Sequence, residues 1–332
     1  MTALTLSVEI EKWPLSAPFR ITGRTFECFE VLVVNLEHNG QVGIGEAAGV
    51  DYLNDDVASM FRQIDALRST LDRGIHRDEL QELLPPGGAR NALDCALWDL
   101  QAKLDARPVW QIASLKQPRP LLTMFTCGAS GPQEMAAAAR AYPHARSIKL
   151  KLTGEPVDAE RVRAVRMARP DVILSVDANQ GFTPLSLEQV LPVLVDCQVA
   201  LIEQPFPANE DALLDSLDLP IPIAADESAQ CLADIPNLVG RFDTINIKLD
   251  KCGGLTEGLA MVRRSKELGL SVMVGNMGGT SLAMAPAFLV GQSCDVVDLD
   301  GPVFLKTDRA TRVRYTHGFI DCPANLWGGP HE

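Results

Sequence analysis

The sequence predicts an α/β fold, a β/α barrel carried beside a smaller α+β domain, on three observations. Polar or ionisable residues follow short apolar runs at Thr126, Lys151, Asp177, Glu203, Asp226, Lys248, Asn276 and Asp298, spaced 22–28 residues apart. That interval is what one strand, one helix and two loops consume. Residues 1–117 lack the alternation and read as strands followed by helices. The remaining length suits one barrel, whose chemistry would sit where its strands end.

The elements follow in order. LTLSVEIEKWPL opens as a strand, and FEVLVVNLEHNGQVGIGEA contains two alternating runs separated by Asn39-Gly40, a strong hairpin signal. Helices are expected at 55–72 and 77–84, then a break at Pro85-Pro86-Gly87-Gly88. ARNALDCALWDLQAKLDA places apolar residues at 92, 93, 96, 97, 100 and 104, one helical face that ends before Pro108. The eight barrel strands are LLTMFT, SIKLKL, VILSVDA, VALIEQP, IPIAADES, TINIKL, SVMVGN and DVVDLD. After Pro302 the alternation stops.

Composition excludes several functions. A net charge of −13 without a basic, aromatic-rich block argues against nucleic acid. Runs such as VLVV at 31–34 are too short to cross a bilayer, and Glu9 and Glu11 fall where a signal peptide would be apolar. Eight cysteines without CxxC spacing read as reduced residues of a cytoplasmic protein. Gly43-Ile44-Gly45 follows a hairpin and precedes no apolar helix, so it is a poor dinucleotide fingerprint. Gly278-Gly279-Thr280-Ser281 lacks the lysine of a phosphate loop, and no histidine sits in a metal-binding pattern.

Asp177, Glu203 and Asp226 end three successive strands, close enough to converge on one hard cation. All-oxygen ligands favour Mg²⁺ or Mn²⁺ over zinc; the alternative is that each carboxylate caps the following helix. Lys151 and Lys248 end the second and sixth strands, which are opposed in an eight-stranded ring. Burial and a nearby cation would push their pKa values down toward a base's working range. Lys149 shares a strand face with Lys151 and could hold a substrate oxygen. Two opposed bases across a metal-bound carboxylate suit removal of the α-proton from one face and its return to the other, through an enediolate. Asp298 and Asp300, across from the metal site, call for a substrate ammonium, a second metal or a loop-capping role. Thr126 and Asn276 end the first and seventh strands and are candidates for substrate contact.

SIKLKL, SVDANQGF, LIEQPFP, IAADES, NIKLDKCGG and, earlier, GARNALDCALWDLQAKL resemble the enolase superfamily in its muconate-lactonizing subgroup, over essentially the whole chain. The resemblance implies an α+β capping domain (1–117, completed by the tail 310–332) over a (β/α)7β modified TIM barrel (118–309). It puts the family's KxK motif on Lys149 and Lys151, its metal ligands on Asp177, Glu203 and Asp226 with one Mg²⁺ per subunit, and its second base on Lys248. DLDGP resembles the dipeptide epimerases, those acting on L-Ala-D/L-Glu closest, in which two aspartates hold the substrate's amino terminus. PFRITGRT reproduces a capping-loop pattern that places Arg24 on a glutamate side chain, with Arg20 as substitute. The implied activity is inversion of the C-terminal residue of L-Ala-D/L-Glu-like dipeptides, in muropeptide recycling. N-succinyl-amino-acid racemase, o-succinylbenzoate synthase and acid-sugar dehydratase are alternatives that keep the same chemistry. One departure is Thr280, where many relatives carry an acid soon after the strand-7 glycine. Oligomeric state stays open, a homo-oligomer included.

Overall fold

The computed structural model describes residues 4–329. Strands β1 (Thr5–Ile21), β2 (Arg24–His38) and β3 (Gln41–Ala47) form an antiparallel sheet in that order. Asn39 and Gly40 have φ of 50° and 75°, the two positive values of a type I′ turn, and they set His38 opposite Gln41. The sheet packs on the helix Gly88–Leu104, most of whose residues are buried. A Cβ at Gly43 would stand 2.2 Å from the Ala96 carbonyl oxygen, and one at Gly45 2.1 Å from that of Ala92. The Gly-x-Gly pattern is therefore a close-packing device between strand and helix.

The helix expected at 55–72 is interrupted. It runs Val57–Ala66, capped by the Asp56 carboxylate accepting the Ser59 N–H at 2.7 Å. Leu67 then donates to the Ile64 carbonyl, a three-residue spacing, before the short turn Arg68–Leu71. The helix Arg77–Leu83 follows.

The barrel strands come next, after β4 (Leu121–Leu122): β5 (Phe125–Cys127), β6 (Ser147–Lys151), β7 (Ile173–Asp177), β8 (Val199–Glu203), β9 (Ile223–Ala225), β10 (Thr244–Ile247), β11 (Ser271–Val274) and β12 (Val296–Val297). The sheet order from β5 to β12 is the chain order, and the pairs are parallel. The Met124 N–H closes the ring by donating to the Val297 carbonyl at 2.9 Å. A 3₁₀ turn, Gly301–Phe304, stands after β12 in place of an eighth helix. This is a (β/α)7β barrel with a separate antiparallel sheet and its helices.

LLTMFT is not one strand. β4 joins a small antiparallel sheet with β13 (Arg314–Thr316) and β14 (Phe319–Asp321). The Thr123 N–H is taken by the Gly318 carbonyl at 3.0 Å while Met124 turns to Val297, so the chain changes partners between Leu122 and Phe125. Beyond β14 the tail reaches the first sheet and its helix. Trp327 Nε1–H donates to the Ile44 carbonyl at 2.9 Å, and the Gly328 N–H to the Asp99 carboxylate at 2.8 Å.

Buried acids join the N-terminal elements to the barrel. Asp94 accepts from the Thr256 N–H (2.9 Å) and hydroxyl (2.6 Å), and Asp250 from the Ala48 and Gly49 N–H groups. Glu46 accepts the Thr280 N–H at 2.7 Å and pairs with Arg309, which also holds Glu11. Each acid satisfies donors that burial would otherwise leave unpaired. All eight cysteines are free, and among the described residues no helix is long and apolar enough to cross a membrane.

Because Gly45 has helix backbone where a Cβ would stand, Gly45→Ala is expected to lower stability by about 1–3 kcal/mol. Urea unfolding should show a lower midpoint at unchanged slope. An unshifted midpoint would show that strand and helix can separate at no cost.

Candidate active site

Strand register brings the candidate metal ligands together. Lys151 of β6 lies opposite Asp177 of β7, which lies opposite Glu203 of β8. Asp226 follows directly on β9. Oxygens of Asp177, Glu203 and Asp226 lie within 4.8 Å of one another, each residue no more than 1% exposed. A buried, all-oxygen donor set of this size fits a hard divalent cation.

The lysines reach the trio from different sides. Lys151 Nζ stands 2.5 Å from Asp177, and Lys248, following β10, 2.6 Å from Asp226. Lys149 lies 3.1 Å from Glu203 and 3.6 Å from Asp177, and it also pairs with Asp298 beyond β12. Both β6 lysines and Lys248 are buried.

Ion pairs with the acids oppose burial at two of these lysines. Burial alone would lower the Lys248 pKa, but Asp226 and Glu203 outweigh it, and the ammonium sits above its ordinary value. Lys149 is likewise raised: burial is opposed by Asp298, Glu203 and Asp177. Burial raises the acids too, yet Lys151 and Lys149 bring Asp177 below its usual range, and Lys248 and Lys251 do so for Asp226. Glu203 is pushed up to about 7 by burial and by Asp177.

The far wall carries the second acidic pair. Asp298 Oδ1 is buried with no hydrogen-bond partner among the described residues. Asp300 accepts the Thr126 N–H at 2.6 Å and is pushed up to about 7 by burial and by Asp298. The Asn276 amide donates to the Asp298 carbonyl at 2.8 Å and accepts the Gly278 N–H at 2.9 Å, so it braces the wall. Thr126 and Asn276 line one cavity with Lys149, Lys151, Lys248 and both aspartates. Arg24 reaches the same cavity from the start of β2, half-exposed and 2.6 Å from Asp51. Arg20 lines a neighbouring cleft instead. Thr280 is fully buried on Glu46, away from the cavity lining.

Several polar groups of the site escaped the sequence reading. Lys251 donates to Asp226 Oδ1 at 2.6 Å and to the Asn246 carbonyl at 3.1 Å. The Asn246 amide donates to Glu203 at 2.7 Å. Glu227 lines the cavity and is pushed up to about 8 by burial and Asp226. The available signal for Lys251 was its position three residues after Lys248, one helical turn on. A repeat of strand ends registers only the last residue of each strand.

Residues 3–113 match the N-terminal domain of mandelate racemase/muconate lactonizing enzyme, and residues 133–325 match the enolase C-terminal domain-like family. The chain is 38% identical over 316 residues to L-Ala-D/L-Glu epimerase of Escherichia coli (strain K12), covering 95% of this chain and 98% of that one. It is also 38% identical over 305 residues to N-acetyl-D-glutamate racemase of a Pseudoalteromonas species, covering 91% and 96%. An enolase family member from Agrobacterium tumefaciens with homology to dipeptide epimerases, with bound sodium and L-Ala-L-Glu, aligns at TM-score 0.95 and 37% identity, over 98% of this chain and all of that one. The dipeptide epimerase from Methylococcus capsulatus complexed with Mg and L-Arg-D-Lys aligns at TM-score 0.90 and 29% identity, over 97% and 98%. Both halves of the sequence and the whole architecture agree: the chain belongs to the mandelate racemase/muconate lactonizing enzyme family of the enolase superfamily.

Proposed function

We propose that the protein is a Mg²⁺-dependent isomerase that inverts the α-carbon of the C-terminal residue of dipeptides, L-Ala-D/L-Glu-like dipeptides foremost. The observation that carries this is the placement of Lys151 and Lys248 at different members of one carboxylate trio, with a second acidic pair on the same cavity. Asp177, Glu203 and Asp226 would hold one Mg²⁺ per subunit, Mn²⁺ being a comparable hard ion. Bound there, it supplies positive charge to offset that gathering on the substrate carboxylate as the α-proton leaves.

Lys151, as the free amine, takes the α-proton from one face; Lys248, as the ammonium, delivers a proton to the other. The reverse reaction exchanges their roles. One proton leaves and one arrives, so only the configuration changes. Lys149, held among Glu203, Asp177 and Asp298, keeps its charge and steadies a substrate carboxylate oxygen. Asp298 and Asp300 offer acceptors to a free ammonium, Asp298 with one oxygen open. That pair favours a dipeptide over the N-acylated substrates of N-succinyl-amino-acid racemase or of the N-acetyl-D-glutamate racemase relative. Arg24, on the cavity, suits a side-chain carboxylate at the C-terminal residue. Muropeptide recycling in the cytoplasm is the proposed setting, on the resemblance of DLDGP and the barrel motifs to the dipeptide epimerases.

Incubation with L-Ala-L-Glu and Mg²⁺ in D₂O should place deuterium on the glutamyl α-carbon as the two epimers equilibrate, and EDTA should stop it. No exchange across a broad dipeptide panel would sink the proposal. Lys151→Ala and Lys248→Ala should each lower kcat for epimerisation by about 10²–10⁴-fold. Each should leave residual exchange only on the epimer whose proton faces the surviving lysine; a variant that epimerises at the parent rate contradicts the two-base scheme. Asp298→Asn should cost about 10–100-fold in kcat/KM for free dipeptides, the worth of a hydrogen bond to a charged group. N-acetyl-glutamate turnover, measured beside it, should not fall in parallel.

A further inference from the structure

A second cleft of mixed lining adjoins the cavity just described, and the two share Phe19, Thr126 and Phe304 in their walls. Met135, Ala138, Tyr142, Pro18 and Val303 are among its lining, while its charged members, Arg20 and Glu134, are exposed. What stands between the two spaces is a pair of rings. Phe19 and Phe304 have centroids 4.5 Å apart at an interplanar angle of 42°.

The turn carrying Phe304 is tied by backbone to β1, and Phe19 is set by the pairing of β1 with β2. Phe304 ends the 3₁₀ turn after Asp300, and the next residue, Leu305, bridges to Leu15 of β1. The Lys306 N–H donates to the Pro14 carbonyl at 2.8 Å, and the Ser16 hydroxyl to the Leu305 carbonyl at 3.0 Å. Phe19 lies where β1 resumes pairing with β2, opposite Phe26, after a register break that begins at Pro14. The backbone that carries each ring is therefore anchored, which keeps the two rings in contact as a wall.

Its position relative to the acids gives it a consequence for substrate choice. A dipeptide bound with its ammonium at Asp298 and Asp300 would bring its N-terminal Cα toward this wall, because Asp300 accepts the Thr126 N–H and is followed directly by the turn that carries Phe304. The side chain on that carbon then meets the ring pair, while Arg24, Asp51 and Tyr52 remain for the C-terminal side chain. A methyl group fits against two rings; a longer side chain would need the space behind them.

We propose that the Phe19–Phe304 pair is the wall that restricts the substrate's N-terminal residue to a small side chain, and that the apolar part of the cleft behind it, at Met135, Ala138, Tyr142 and Val303, is a subsite which a longer side chain enters once the wall is opened. This rests on the dipeptide reading of the site. The test is competition between L-Ala-L-Glu and L-Leu-L-Glu in D₂O with Mg²⁺, read by mass spectrometry as a ratio of kcat/KM. The parent should favour the alanyl dipeptide by about tenfold or more, within the range that a few methylenes control. Phe304→Ala and Phe19→Ala should each move the ratio toward the leucyl dipeptide by about tenfold, with Phe304→Leu, a milder change, moving it less in the same direction. An unchanged ratio in variants that still turn over L-Ala-L-Glu, or a parent that already prefers L-Leu-L-Glu, overturns the wall and leaves the epimerase reading standing. A parent that exchanges no dipeptide overturns both.

Discussion

Three carboxylates within 4.8 Å of one another, almost without solvent, are the constraint around which the barrel mouth is built. At an effective dielectric of about 20, each pair at that separation repels by roughly 3–4 kcal/mol. Such a cluster persists only with compensating charge, and the fold supplies it from three directions. Lys149 and Lys151 come from β6, Lys248 from the end of β10, and Lys251 from the helical turn after it. The groups proposed to move protons are thus among those that make the acidic cluster tolerable. The acids facing Lys248 and Lys149 hold both ammonium groups above their ordinary values despite burial.

The same economy of buried charge holds the two parts of the molecule together. Asp94, Asp99, Asp250 and Glu46 each take backbone N–H donors from a distant segment. The helix Gly88–Leu104 is central: Asp94 reaches from it to the barrel, while Asp99 accepts the Ile44 N–H on the face that also receives Gly43 and Gly45 of β3. Chemistry and selectivity are divided accordingly. Barrel strand ends bring the trio and the lysines; β1, the start of β2 and the loop carrying Asp51 and Tyr52 close the cavity over them. Changes in the covering segments can alter what fits without touching the charged centre.

Much of the barrel was legible because one residue per strand-helix unit carries a polar group into an apolar context. Asp177, Glu203 and Asp226 could be placed together by counting, since adjacent parallel strands bring equivalent positions side by side. Arg24 and Arg20 could not be separated that way, as both lie in one stretch of β1–β2; only the turn between those strands sends one to the cavity and the other to the cleft. Thr280 looked like an altered site position but spends its hydrogen bonds on Glu46. LLTMFT looked like a single strand because its apolar run is continuous, whereas its partners change at Thr123.

By itself the sequence determined the repeat, hence the parallel barrel, the hairpin at Asn39-Gly40 and the identity of the polar residues at each strand end. These follow from local geometry, which acts over a few residues or one unit of the repeat. Tertiary structure alone decided which charges touch: Lys251 on Asp226, Lys149 on Asp298, Arg309 on Glu46 and Glu11. It also decided the meeting of Phe19 with Phe304. Such outcomes depend on distances of a few ångströms between residues far apart in the chain, and side-chain electrostatics and packing vary steeply on that scale.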